Sequence, residues 1–134
     1  MSDFSDFLEQ RLLNVIFRTQ VAYKPTAIYI ALFTAAPDDT GGGTEVTGGS
    51  YARQQVSQAD AEWNAPGAAG LIDNVNDITF PVATANWGTV THMAIFDAVT
   101  AGNLLFHRAL TASKVVNTDD TFKFAAGDLD ITLA

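Results

Sequence analysis

Residues 24–37 read Lys24-Pro25-Thr26-Ala27-Ile28-Tyr29-Ile30-Ala31-Leu32-Phe33-Thr34-Ala35-Ala36-Pro37. Within this stretch Ile28, Ile30 and Leu32 alternate with Tyr29, Ala31 and Phe33. A period of two places each set on its own side of a β-strand, whereas a helical period would mix them. Both sets are apolar, so Ala27 to Thr34 is expected to be a strand buried on both faces.

Upstream of Pro25 the period is different. Phe4, Phe7, Leu8, Leu12, Val15 and Ile16 follow the i, i+3, i+4 spacing that lays one apolar stripe along a helix. The expected helix covers residues 3–18, with Ser2 or Asp3 capping its first turn. Asp3, Asp6 and Glu9 lie toward the positive end of its dipole, and Arg11 and Arg18 toward the negative end.

Downstream the period stays at two. Ile78 and Phe80 precede Pro81, and Val90, His92, Ala94 and Phe96 alternate with Thr91, Met93 and Ile95. Leu104, Phe106 and Leu110 are expected to share one side of a strand. Phe122 and Phe124 flank Lys123, and Leu129, Ile131 and Leu133 interleave with Asp128, Asp130 and Thr132. Turn residues recur at Pro66-Gly67, Asn86 to Gly88, Ala101 to Asn103, Asn117 to Asp120 and Gly127. Such spacing suits antiparallel hairpins and leaves little room for βαβ crossovers. The fold class that follows is mainly β: an antiparallel sandwich or jelly-roll-like barrel of seven or eight strands over residues 26–134, with one N-terminal amphipathic helix over an open end or one face. The 134 residues form one domain.

One long loop is expected over residues 35–50. Five of the ten glycines fall there, Gly41, Gly42, Gly43, Gly48 and Gly49, so the segment is permissive in backbone angle. Loops longer than about 12 residues are usually mobile or functional, and ordering by a neighbouring subunit is one expectation for this one.

Charge narrows the function classes. Fifteen acids against seven bases give a net charge of −8, which argues against phosphate neutralisation and an anionic membrane surface as partner. With 48% hydrophobic residues and nine Phe, the chain carries enough apolar surface for a core without metal or disulfide support. There is no cysteine, hence no thiolate nucleophile and no Cys-based zinc site. The N-terminus lacks a secretory pattern, and the longest apolar run, Ala27 to Phe33, is too short to span a bilayer.

Reactive chemistry is not signalled. Gly41 to Gly43 are not followed by the Lys-Ser or Lys-Thr of a phosphate loop, and the dinucleotide spacing fails because Val46 stands where the third glycine belongs. His92 and His107 fall in neighbouring strands with no third ligand or nucleophile in sequence view. Asp38-Asp39 and Asp119-Asp120 sit in turn-like sequence, where Asp bonds its own backbone. Asp73-Asn74-Val75-Asn76-Asp77 is the densest run of oxygen ligands, but alternation along a strand divides it between two faces. Trp63 and Trp87 read as core or interface anchors. The expectation is therefore no enzyme, no metal and no cofactor.

The run Tyr29 to Pro37, followed by Glu45 and then Gly49-Ser50-Tyr51-Ala52-Arg53-Gln54, resembles the opening of a family of small tailed-bacteriophage virion proteins. It is similar again at Ile78-Thr79-Phe80-Pro81, Trp87-Gly88-Thr89-Val90-Thr91-His92, Ala94-Ile95-Phe96-Asp97 and Phe124-Ala125-Ala126-Gly127-Asp128-Leu129. The resemblance runs from about Phe4 to the end of the chain. It implies a virion structural protein, assembled in the bacterial host cytoplasm and partnered by phage capsid or tail proteins and by further copies of itself. No catalytic residue is carried over with it. The first expectation is a head decoration (cement) protein that stabilises the capsid lattice. The alternative is a tail-tip, baseplate or tail-fibre component, with receptor or glycan binding at its loops. The candidate interface comprises Phe4, Phe7, Leu8 and Leu12 on the helix, Asp38, Gly42, Glu45, Tyr51 and Arg53 in and after the glycine-rich loop, and Trp63.

Overall fold

The computed structural model describes residues 3–133. One helix, α1 (Asp6–Phe17), precedes nine strands: β1 (Ile28–Ala35), β2 (Thr44–Glu45), β3 (Gln54–Val56), β4 (Leu71–Ile72), β5 (Ile78–Thr79), β6 (Gly88–Phe96), β7 (Leu104–Val116), β8 (Lys123–Phe124) and β9 (Ile131–Thr132). A single 3-10 turn lies at Asp60–Glu62.

β1 is the centre of the principal sheet. It pairs antiparallel with β6 along one edge, and β2 and β3 share its other edge, giving the order β2-β1-β6-β7 with β3 beside β2. The two-sided reading of residues 28–33 holds. Ile30 opposite Ile95 and Leu32 opposite Met93 belong to the main core, while Ala31 opposite Ala94 lies with Phe33 and Leu104 in a smaller cluster on the reverse face. β5 with β8, and β4 with β9, form two short antiparallel ribbons. The result is a mainly antiparallel, open sandwich with one large sheet and a second layer made of ribbons.

The main core is knitted by aromatic rings from the second layer. Phe80 lies 5.7 Å from Phe122 and 6.4 Å from Phe124, and Phe122 and Phe124 are 5.2 Å apart, all edge to face. Tyr51 stacks on Phe80 at 6.2 Å and meets Trp87 edge-on at 5.4 Å. Each such pair contributes about 0.5–1.5 kcal/mol beyond area burial. As the alternation predicts, Lys123 points out between the buried Phe122 and Phe124.

Two irregularities break the simple alternation expected of β6 and β7. Ile95 pairs with Phe106 but the next residue, Phe96, pairs with Leu104, so Leu105 is an extra residue in β7. This bulge places Leu104 on the reverse face and Leu105 and Phe106 in the main core, where a regular strand would keep Leu104 and Phe106 together. A second shift, between Val90 opposite Lys114 and His92 opposite Ala109, separates Val90 from His92, and Val90 joins Met93 and Ile95 in the main core.

The segment 35–50 is also more ordered than a long loop. Asp38 and Gly41 exchange two backbone hydrogen bonds of 2.7 and 2.9 Å, β2 follows, and the buried Val46 donates its N–H to Leu32 at 2.9 Å. Two glycines make this return possible. Gly43 has φ +72°, and a Cβ there would lie 2.7 Å from the Ala35 carbonyl oxygen; Gly49 has φ +55°, and a Cβ would lie 2.8 Å from Nε1 of Trp87.

Candidate assembly surface

The N-terminal segment reaches the sheet before it becomes a helix. Ser5 donates its N–H to the Leu105 carbonyl at 2.9 Å, and His107 donates to the Asp3 carbonyl at 3.0 Å, so Phe4 bridges Phe106 on the free edge of β7. Ser5 then caps the helix: its hydroxyl accepts from Leu8 N–H at 3.2 Å and donates to the Leu104 carbonyl. The cap is thus neither of the two expected residues. Asp3 is engaged in the extended pairing, and Ser2 lies outside the described residues.

The expected apolar stripe divides along its length, and its first member, Phe4, lies in extended pairing ahead of α1, which starts at Asp6 and not at residue 3. Phe4, Phe7 and Leu8 pack against the main core, Phe4 meeting Phe106 edge-on at 5.8 Å and Phe7 meeting Tyr23 at 5.1 Å. Leu12 is half-buried, and Arg11 lies over the Phe7 ring at 5.0 Å. Beyond that turn the helix leaves the body behind, and Leu13, Ile16, Phe17 and the following Val21 are exposed. Tyr23 brings the chain back by donating to the Asp97 carboxylate at 2.8 Å. Burial would raise the Asp97 carboxyl, but hydrogen bonds from the Asn103 side chain and backbone and from Tyr23 outweigh it and hold it below the usual range.

Glu45, Tyr51 and Arg53 form one network. Arg53 grips Glu45 through two 2.8 Å bonds, from Nε to Oε1 and from Nη2 to Oε2, and its Nη1 donates to the carbonyls of Ala98 at 2.9 Å and Ala101 at 2.8 Å. The guanidinium lies 3.8 Å from the centre of the Phe96 ring. Tyr51 donates to Glu45 at 2.8 Å and accepts from Leu32 N–H at 3.0 Å, and burial pushes its phenol well above the ordinary tyrosine range. The Arg53 side chain is only 7% exposed. These three residues tie β2 and the start of β3 to the β6–β7 turn, an inward role that their sequence spacing did not disclose.

Asp38 is exposed and bonds the N–H and hydroxyl of Thr40 at 2.9 and 2.6 Å, which holds its carboxyl below the ordinary value. Gly42 is exposed at the same turn. Trp63 is half-buried, with Nε1 donating to Ser57 at 2.9 Å, and Trp87 is buried, with Nε1 donating to Gly49 at 2.9 Å, so the Trp87 ring offers no platform to a sugar.

The other polar groups singled out from the sequence also serve the fold. His107 bonds Asp39 through Nε2 at 2.8 Å, while the Asp39 carbonyl accepts from Asp6 N–H at 3.1 Å; this one loop residue joins β7 to the start of the helix. His92 shares a face with His107 two pairs along the ladder and bonds Thr91 at 2.8 Å; burial, then the neighbouring His107, lowers its pKa. Within Asp73 to Asp77, the buried Asn74 side chain bonds the carbonyls of Asn76 and Ala125 and the N–H of Leu129, while Asp77 accepts from Ala126 N–H and pairs with Lys123. Among the described residues no three His, Cys, Asp or Glu side chains converge on a common point. A cleft of about 570 Å³ opens between β7 and residues 122–130, lined by Phe122, Phe124 and Leu129, with Arg108, Lys123 and Asp130 among its polar residues.

A mainly β module whose ion pairs join separate elements of its own fold has the build of a structural protein. Comparison with known families makes this specific. The chain belongs to the podophage GP4 fiber I protein gp80 family, whose model matches residues 3–132, and thus to a family of phage virion structural proteins. No curated protein matches the chain. No helix among the described residues is long and apolar enough to cross a membrane.

Proposed function

We propose that this chain is a non-enzymatic component of a tailed-phage fibre, built into the virion by contacts with neighbouring virion proteins. The observation that carries the reading is membership, over nearly the whole chain, of a family described as a podophage fibre protein. The geometry is in keeping with it: His107–Asp39 and Arg53–Glu45 join separate elements of the fold.

Head decoration was the first expectation from the sequence, and the family description favours the fibre placement instead. Stoichiometry separates the two. Quantitative mass spectrometry of purified virions is expected to give far fewer than the hundreds of copies a head lattice would take, and labelled particles are expected to carry the label on the tail. Hundreds of copies with label over the head would overturn the fibre reading in favour of decoration.

A further inference from the structure

The chain ahead of β1 is tied to the body at two separated places. At the first, Ser5 donates its N–H to the Leu105 carbonyl at 2.9 Å, His107 donates to the Asp3 carbonyl at 3.0 Å, and Asp6 donates to the Asp39 carbonyl at 3.1 Å. At the second, Tyr23 donates to the Asp97 carboxylate at 2.8 Å. Between the two, α1 has no buried residue and residues 18–22 are all exposed. The arm nevertheless coheres by itself. Ser5 caps the helix, Phe7 meets Tyr23 edge-on at 5.1 Å, and the Arg11 guanidinium lies 5.0 and 6.0 Å from the centres of those two rings. The helix and its return segment are thus fastened to each other, while Lys24-Pro25-Thr26 joins them to β1 with no hydrogen bond from Lys24 or Thr26 to another described residue.

The sheet has a core of its own. Ile30, Leu32, Met93 and Ile95 belong to one buried cluster with Phe80, Phe122 and Phe124, all from β1 onward. Segments with few buried contacts open locally at lower free energy than such a core. From this we infer that residues 3–23 form a strap that opens from β7 as one unit while the sheet stays folded. The strap covers the stretch of β7 most suited to pairing. From Phe106 to Ala109 β7 runs in unbroken register with β6, whereas between Ala109 and Lys114 it bulges. A regular edge is a template for another strand, and a bulge blunts it. Closed, the strap occupies the Leu105 carbonyl and the His107 N–H; open, it releases both.

Hydrogen exchange of the full chain, followed amide by amide by NMR, tests this. Protection factors of Ser5, the hydrogen-bonded α1 amides and His107 are expected to agree with one another and to lie roughly a hundredfold or more below those of the β1–β6 ladder. His107 is the telling residue, because it belongs to β7 yet its N–H bonds the arm. Tyr23→Phe removes the tie to Asp97 and keeps the ring against Phe7. It is expected to lower the protection of all these amides together by roughly tenfold and to leave the β1–β6 ladder unchanged. Ser5 and His107 as protected as the ladder, a Tyr23→Phe effect confined to α1, or one spread equally over the ladder would each overturn the proposal.

Discussion

Replacing Arg53 by Met keeps an apolar chain of similar length against Phe96 while removing every charged contact. The structure sets the size of the effect. Arg53 makes two bonds to Glu45 and two to backbone carbonyls of the β6–β7 turn, with its side chain 7% exposed and that of Glu45 25% exposed. Breaking a buried ion pair from one side costs about 3–5 kcal/mol, chiefly because the surviving charge is left without its partner. Glu45 keeps some water and its bond from Tyr51, which lowers the expected loss to about 2–4 kcal/mol. For a domain of this length that corresponds to a fall in Tm of roughly 10 °C. Urea unfolding followed by Trp fluorescence reads the change, since Trp87 lies 5.4 Å from Tyr51. Adding Glu45→Gln to Arg53→Met removes the stranded charge and is expected to recover about 1–2 kcal/mol relative to the sum of the single changes. A loss under about 1 kcal/mol for Arg53→Met, or strict additivity in the double variant, would refute the claim that this pair clamps the loops to the sheet.

Two other outcomes follow from packing and titration. Phe106→Ala empties a fully buried site against which Phe4 packs, and chemical denaturation is expected to show a loss of about 3–5 kcal/mol. Asp97, Asp77 and Asp38 all have lowered pKa values in the fold. A carboxyl lowered on folding contributes stability that is complete above its unfolded value of about 4 and is lost as pH falls through the folded value. Melting temperature is therefore expected to hold between about pH 7 and 5 as far as these groups are concerned, and to drop below about pH 4; Asp97→Asn is expected to flatten that acid limb.

Much of the fold was legible because it depends on local period. The alternation in Ile28 to Phe33 identified a strand covered on both sides, and the exposed Lys123 between Phe122 and Phe124 marked another. The helix was legible from spacing alone. Less could be read where a side chain answers to a distant backbone. Ser5 is the cap because its hydroxyl also reaches Leu104, ninety-nine residues away, and no feature of residues 2–5 distinguishes it from its neighbours. The bulge at Leu105 leaves no mark in a string of two leucines and a phenylalanine, yet it decides which of them faces the core.

The candidate surface divides in the same way. Glu45, Tyr51 and Arg53 stood out in the sequence, but only the folded chain shows that their polar atoms turn inward on one another. The residues that remain free, Leu13, Phe17 and Val21, were not among the candidates, although Ile16 lay on the predicted stripe. Amphipathic spacing establishes that a helix has an apolar side. It cannot establish how far along the helix the covering body extends, because that depends on where β7 and the β6–β7 turn end in space. Sequence thus determined the elements and their two-faced or one-faced character, since these follow from the repeat of the backbone itself; tertiary structure alone decided which apolar residues found partners, since that follows from the meeting of segments far apart in the chain.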